Sequence, residues 1–330
     1  MSVEKKLSQK MNDLSNYVEY RLSVYLWKSL PPVLLLLGSA GNLLAILVLM
    51  QRKNRQSTSA LYLTALAVSD LLVLWTGLLR QWIKYTFNID VRDMSVFGSK
   101  VHVFLVYVLL SCSSWFLVAF TFERFVAVWF PHKNKTVCSR MKAVISTIVI
   151  SSFLILLNSH WLYWMNLKPI YINNTTFQLR CDVIKDDFYE VFYRKWKWVD
   201  ICVQSLIPLT LISVVNITII SRVVWRKYKR STQIAPTSGA KERISQLTVM
   251  LVTTSTVFIM CTAPISVVII VYDKRKSGQD LAIHLLWWAV VNLLAYLNNT
   301  INFMLYFLSG SKFRKQIREL FFSSCRSLNF

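Results

Sequence analysis

One carboxylate, Asp70, stands deep inside a long apolar run, in Leu66-Ala67-Val68-Ser69-Asp70-Leu71-Leu72. Burying a carboxylate among aliphatic side chains is costly unless a cation or several hydrogen-bond donors meet it. Asp70 therefore marks either an ion site or a polar packing centre. A second charged feature, Glu123-Arg124, closes the apolar run that begins near Phe97 and leads through Phe125 into the turn Trp129-Phe130-Pro131-His132-Lys133. An apolar helix that stops on a Glu-Arg pair and runs into an aromatic-proline turn and basic residues reads as a membrane helix emerging into the cytosol, where a signal could be handed over. The other polar residues singled out inside apolar runs are amides and hydroxyls: Asn42, Ser113, Asn298, Asn302 and Tyr306. Such a set can bind a cation and exchange hydrogen bonds. With no HExxH, paired Asp or Ser/His arrangement, no enzyme is expected. The six cysteines, at 112, 138, 181, 202, 261 and 325, show no CxxC or Cys/His spacing for a metal.

Helices that cross a bilayer must position these groups. The chain has 330 residues, 55% of them hydrophobic, and a mean hydropathy of +0.44, too apolar for an ordinary soluble domain of this length. Runs of about 20 apolar residues, enough to cross roughly 30 Å of hydrocarbon, lie near 30–50, 60–82, 98–122, 143–164, 198–221, 247–272 and 282–308. The expected fold is an all-α membrane protein, a seven-transmembrane-helix bundle. It divides into an extracellular tail 1–29, a transmembrane domain 30–308, and an amphipathic eighth helix with a short cytoplasmic tail over 309–330. In that last segment Phe313, Ile317, Leu320 and Phe321 share one face among basic residues, the pattern of a helix lying on a membrane surface. The first residues lack the apolar core of a signal peptide, so the first helix is expected to insert uncleaved with the N-terminus outside. Arg52, Lys53 and Arg55 flank the first span on the inner side under that orientation. The net charge of +22 is scattered among the spans rather than gathered in a stripe, which argues against nucleic acid as a partner.

Taken in order, Gly41-Asn42, Leu66-Ala67-x-x-Asp70, Glu123-Arg124-Phe125, Pro208, Cys261-x-x-Pro264 and Asn302-x-x-x-Tyr306 resemble the signature of rhodopsin-like (class A) G-protein-coupled receptors. Val128-Trp129-Phe130-Pro131-His132-Lys133 is similar to the neuropeptide branch, with FMRFamide-type and thyrotropin-releasing-hormone-type receptors. The resemblance implies that Glu123 holds Arg124 in the inactive state and releases it to a heterotrimeric G protein in the active one. Phe125, Phe258, Pro264, Asn302 and Tyr306 would complete the switch. Asp70 with Asn42, Ser113, Asn298 and Asn302 would form a water and sodium pocket, sodium being the single ion expected and no other cofactor. The alternative is that these amides simply satisfy one another. Arrestin and a receptor kinase would be further partners. The pattern departs from the family at Ser99, where the cysteine that pins the second outer loop is expected, and at Ser151, Asn216, Thr262 and Phe303, which replace Trp, Tyr, Trp and Pro. Without a cysteine at 99, Cys181 is expected to be a free thiol or to pair between chains.

A ligand class follows from the residues expected at the outer ends of the spans. Val106 stands where amine receptors carry Asp, and no Lys near Tyr296 could form the Schiff base of a retinal protein. Arg80, Gln81, Lys84, His102 and Tyr107, with Trp288, Asn292 and Tyr296, make a basic and aromatic rim. Such a rim suits an amidated aromatic or acidic peptide. Arg80, Gln81 and Lys84 could equally be interfacial anchors. Asn173 and Asn174 form overlapping glycosylation sequons at a hairpin turn. Cys325 is either palmitoylated or a plain thiol. A polytopic transporter or channel is the alternative function; one mid-membrane Asp and an odd number of spans argue against it.

Overall fold

A chain segment in hydrocarbon must satisfy its backbone N–H and C=O groups internally, which makes helices of the long apolar runs. The computed structural model describes residues 14–54, 57–132, 134–173, 176–183, 192, 195–196, 198–231, 239–271, 278–309 and 313–319. Among them, seven helices are long and apolar enough to cross a membrane. They are α1 (Val18–Leu49), α2 (Thr58–Phe87), α3 (Val96–Trp129), α4 (Arg140–Trp164), α5 (Trp198–Arg226), α6 (Gly239–Val271) and α7 (Gly278–Ser309). Between α4 and α5 an antiparallel hairpin pairs β1 (Met165–Asn173) with β2 (Thr176–Val183), Leu167 opposite Cys181. A short helix, α8 (residues 313–319), follows α7.

The bundle is inverted relative to a soluble protein. Leu36, Leu156 and Met260 are exposed while Asn42, Asp70, Ser113 and Asn302 are buried. Lipid accepts the aliphatic surface, so the polar side chains turn inward to find one another. The most apolar stretch of α3 is 61% buried and that of α4 only 17%, so α3 is the central helix and α4 a peripheral one. Around α3 pack α2, α4 and α5, and α1 lies against α2 and α7. The last contact needs close approach: a Cβ on Gly41 would come within 3.0 Å of the Phe303 Cβ. Phe303, at the position where proline is expected, is accommodated because Gly41 leaves it room.

Helix α1 starts at Val18, well before residue 30, so the stretch 18–29 expected as tail is helical instead. Its polar first turns run past the apolar segment because Trp27 buries itself and stacks on Tyr85 at 5.5 Å. Two π-helical segments interrupt the spans, Leu74–Leu78 in α2 and Cys202–Leu206 in α5. Such segments upset the regular pairing of carbonyls, and here side chains of α3 supply donors. The Trp115 indole donates to the Val203 carbonyl at 2.9 Å, where Pro208, one π turn further on, has no N–H to offer. Helix α8 is held by Phe313, edge-on to Phe303 and Tyr306, and by paired amides of Asn54 and Gln316. Leu320, Phe321 and Cys325 lie outside the described residues.

Candidate functional site

Asp70 is fully buried on α2 and faces α3 and α7. Ser113 Oγ donates to its Oδ1 at 2.6 Å, Asn299 Nδ2 to the same oxygen at 2.7 Å, and Asn302 Nδ2 to Oδ2 at 2.6 Å. Asn42 reaches the cluster indirectly, donating to the Asn299 carbonyl at 2.9 Å. Asn298 does not join it: its Oδ1 is buried without a partner. Helical spacing explains the correction, because Asn299, Asn302 and Tyr306 fall at i, i+3 and i+7 on one face, whereas Asn298 is rotated away by one residue. The Oδ1 atoms of Asn42 and Asn302 are likewise buried and unpartnered.

At the other end of α3, Arg124 Nη2 lies 2.7 Å from Glu123 Oε1 and donates to Ser59 Oγ at 2.5 Å. Thr58 and Ser59 both donate to Glu123 Oε1. These two residues open α2, whose N-terminus carries the positive end of the helix dipole and favours a carboxylate there. The guanidinium also sits 5.7 Å from the Phe120 ring centre. Glu123 and Arg124 are both largely buried, and Glu123 Oε2 and Arg124 Nε have no partner. Phe125 packs against Trp129 and Phe130. Tyr306 is buried with its hydroxyl unpaired.

A cavity of about 490 Å³ lies between α3, α5, α6 and α7, toward the end that carries the hairpin. Tyr107, Trp288, Asn292 and Tyr296 line it as the sequence suggested, together with Trp161 and Gln204. Its floor includes Phe258, Ser113 and Asn299, and the last two are the same residues that hold Asp70. Thr262 is part of the reason the cavity runs so deep: a hydroxyl bonded to the Phe258 carbonyl at 2.7 Å stands where a tryptophan would fill space. Pro264 lies inside α6, two residues before the Ser266 that meets Ser205 of α5 at 2.6 Å.

The profile of the 7 transmembrane receptor (rhodopsin family) matches residues 41–306. The chain belongs to that family. This receptor is 26% identical over 311 residues to human C-C chemokine receptor type 1, covering 88% of this chain and 79% of the relative. It is 25% identical over 317 residues to cysteinyl leukotriene receptor 1 of Cavia porcellus, covering 94% and 88%. With the thyrotropin-releasing hormone receptor of Gallus gallus it shares 24% over 309 residues, covering 86% and 75%. As a member of the rhodopsin family it is a multi-pass membrane receptor that couples an extracellular ligand to a G protein, and it is not an enzyme.

The receptor does not use Arg80, Gln81, Lys84, His102 or Val106 to line the cavity. Arg80 instead forms a two-pronged ion pair with Asp90, its Nε donating to Oδ1 at 2.7 Å, and Lys84 lies 3.3 Å from the same carboxylate. Asp90 also caps the turn Val91–Asp93 through the Arg92 N–H at 3.1 Å. Burial works to raise the Asp90 pKa, but the Arg80 hydrogen bonds and charge, the Arg92 N–H and Lys84 more than offset it and bring it down to about 2. His102 bridges Arg92 Nε, 2.9 Å from its Nδ1, and the Thr76 carbonyl, 3.0 Å from its Nε2. Since Arg92 can only donate, the ring carries its proton on Nε2 and satisfies a carbonyl of the α2 π-segment. Val106 is buried. The signal missed in the sequence was Asp90: an acid ten residues after Arg80 in a short loop competes for the same guanidinium.

Cys181 is a free thiol among the described residues, and it lies beside Ser99. Burial pushes its pKa up, with the Ser99 contact acting against that. The hairpin is tied instead by the Cys181 N–H, which donates to Asp93 Oδ1 at 2.6 Å. Asn173 ends β1, while Asn174 and the side chain of Asn173 lie outside the described residues.

Proposed function

We propose that this receptor binds a peptide of the neuropeptide type in the cavity between α3, α5, α6 and α7, with the hairpin and the N-terminus on the extracellular side. The observation that carries this reading is the lining itself. Trp161, Trp288 and Tyr107 offer aromatic faces, and Gln204 and Asn292 offer amides, the groups that complement aromatic side chains and backbone amides. The thyrotropin-releasing hormone and chemokine receptors among the relatives are consistent with it. The leukotriene receptor favours a lipid reading, but an acidic lipid would meet no Lys or Arg among the described lining residues.

At the opposite end, Arg124 is the residue handed to the G protein. Ligand contacts shift Ser113 and Asn299, these loosen Asp70, and the bundle favours the packing in which Arg124 leaves Glu123 and Ser59. A sodium ion fits the Asp70 cluster, because hard cations take oxygen ligands and the buried Oδ1 of Asn302 lacks a partner beside the carboxylate. Asp70, Ser113 and Asn302 would hold it, and its charge would favour the inactive packing. Receptor kinase and arrestin are further partners, with glycosylation at Asn173 or Asn174 and palmitoylation at Cys325.

A panel of amidated and free-acid peptides, applied to cells expressing the chain and read by calcium and cyclic AMP, tests the reading. Activation by a peptide, lost in Trp288→Ala with surface expression intact, is expected. Activation by lipid mediators alone would sink it.

A further inference from the structure

The chain carries a large positive charge, +22, yet among the described lining residues the cavity holds no Lys or Arg and a single carboxylate, Asp200. Asp200 sits on the first turn of α5, only partly exposed, one turn before Gln204 in the same wall. Several other described carboxylates are compensated: Asp90 by Arg80 and Lys84, Glu123 by Arg124, Asp182 by Lys168 and Asp70 by three donors. Asp200 has no ion pair among the described residues, and the one donor recorded beside it is the uncharged indole of Trp196, one turn earlier, which brings no positive charge. An ionised carboxylate facing a half-enclosed aromatic cavity is costly until a cation arrives. Tyr107, Trp161 and Trp288 in the same cavity supply the ring faces that attract a desolvated cation.

We infer that Asp200 is the counter-charge for an ammonium or guanidinium group on the ligand, seated among the aromatic walls of this cavity. The inference rests on the cavity being the ligand site. It sets aside the acidic alternative of the two ligand types read from the sequence, because Arg80 and Lys84 are paired with Asp90 and the cavity selects a basic group. It also moves the counter-ion for a basic ligand from α3, where Val106 is apolar, to α5.

Full-length purified receptor in detergent is heated with three probes: acetyl-arginine naphthylamide, which carries only the guanidinium; phenylethylamine, which carries only an ammonium; and neutral acetyl-citrulline naphthylamide. A compound that binds the folded state raises the Tm in a concentration-dependent way. One or both cations should raise it, with whichever acts naming the group, and the citrulline compound should need about tenfold more to match the arginine one. Asp200→Asn should erase that preference and, by removing the uncompensated carboxylate, leave the Tm without probe no lower than the parent's. Asp200→Lys should turn it toward acetyl-glutamate naphthylamide. If the arginine compound shifts the Tm, an equal shift by the citrulline compound on the unmodified receptor overturns the inference without need of any variant, and so does the absence of a shift by both cations. A preference surviving in Asp200→Asn overturns it too. The inference fails alone if Trp288→Ala removes the arginine shift but Asp200→Asn leaves the preference; the pocket reading fails, and the inference with it, if Trp288→Ala leaves the arginine shift intact.

Discussion

Each end of the bundle has a buried arginine paired to a carboxylate, and the two pairs are built for different purposes. Arg80 and Asp90 belong to one short stretch, ten residues apart, and the pair is closed on itself by Lys84 and the Arg92 N–H. No relative movement of α2 against α3 is needed to keep it, so it acts as a fixed clasp. Glu123 and Arg124 are neighbours whose remaining partners, Thr58 and Ser59, come from another helix 64 or 65 residues away. A small slide of α2 against α3 breaks those contacts. The pair also leaves Glu123 Oε2 and Arg124 Nε unsatisfied, whereas both Asp90 oxygens are used. A latch made across helices with bonding capacity to spare can be opened. A clasp closed within one loop resists opening.

Arg124→Ala is the largest break in this comparison: agonist-stimulated nucleotide exchange should be lost while surface expression and ligand binding persist. Exchange at the parent level would remove Arg124 from the coupling surface. Arg80→Ala should leave exchange per folded receptor nearly unchanged yet lower stability by about 3 kcal/mol, since breaking a buried pair strands the Asp90 carboxylate. A Tm equal to the parent's would show that the clasp is idle. Ser99→Cys should form a bond to Cys181 and stabilise by about 2 to 4 kcal/mol, with Cys181 becoming unreactive to maleimide until reductant is added. No change in reactivity would mean the two side chains do not meet.

The clasp should also have an acid signature. Asp90 is held at about 2, below its unfolded value, so its stabilising contribution is complete above an unfolded pKa of about 3.9 and disappears as pH falls through about 2. That is on the order of 2 kcal/mol, and in Asp90→Asn this part of the acid loss should vanish from a Tm-against-pH series. The smallest effect is expected at the latch: Thr58→Val removes one donor to Glu123, worth about 1 kcal/mol, and should raise basal exchange about fivefold. A fall in basal exchange would reverse the role assigned to Thr58.

The spans, the amphipathic 313–319 segment, the hairpin and the place of Arg124 were legible in the chain, because apolar length, helical period and turn residues are local properties. The pairing of Glu123 with Arg124 came from the family resemblance, and the adjacency of the two residues on α3 permits it. Contacts set by which face of a helix meets its neighbour were harder to read. Asn299 could have been preferred to Asn298 from its i, i+3 relation to Asn302, but the choice turns on a rotation of one residue. Arg80 and Lys84 looked like ligand groups because an arginine near a helix end has the same appearance whether it faces a cavity or an acid in the next loop.

The sequence by itself determined that this chain crosses a membrane seven times, that it belongs with rhodopsin-like receptors, and that Asp70 and Arg124 lie at two depths of one polar interior. Hydrophobic length and the high cost of burying charge leave few other arrangements. Tertiary structure alone decided which groups meet: Asp90 takes Arg80 out of the ligand surface, Gly41 makes room for Phe303, Ser99 faces Cys181, and Asp200 joins the cavity wall as its one described carboxylate. Each of these depends on the rotation and spacing of helices far apart in sequence, and a side chain's partner is fixed only when both of its neighbours have been placed.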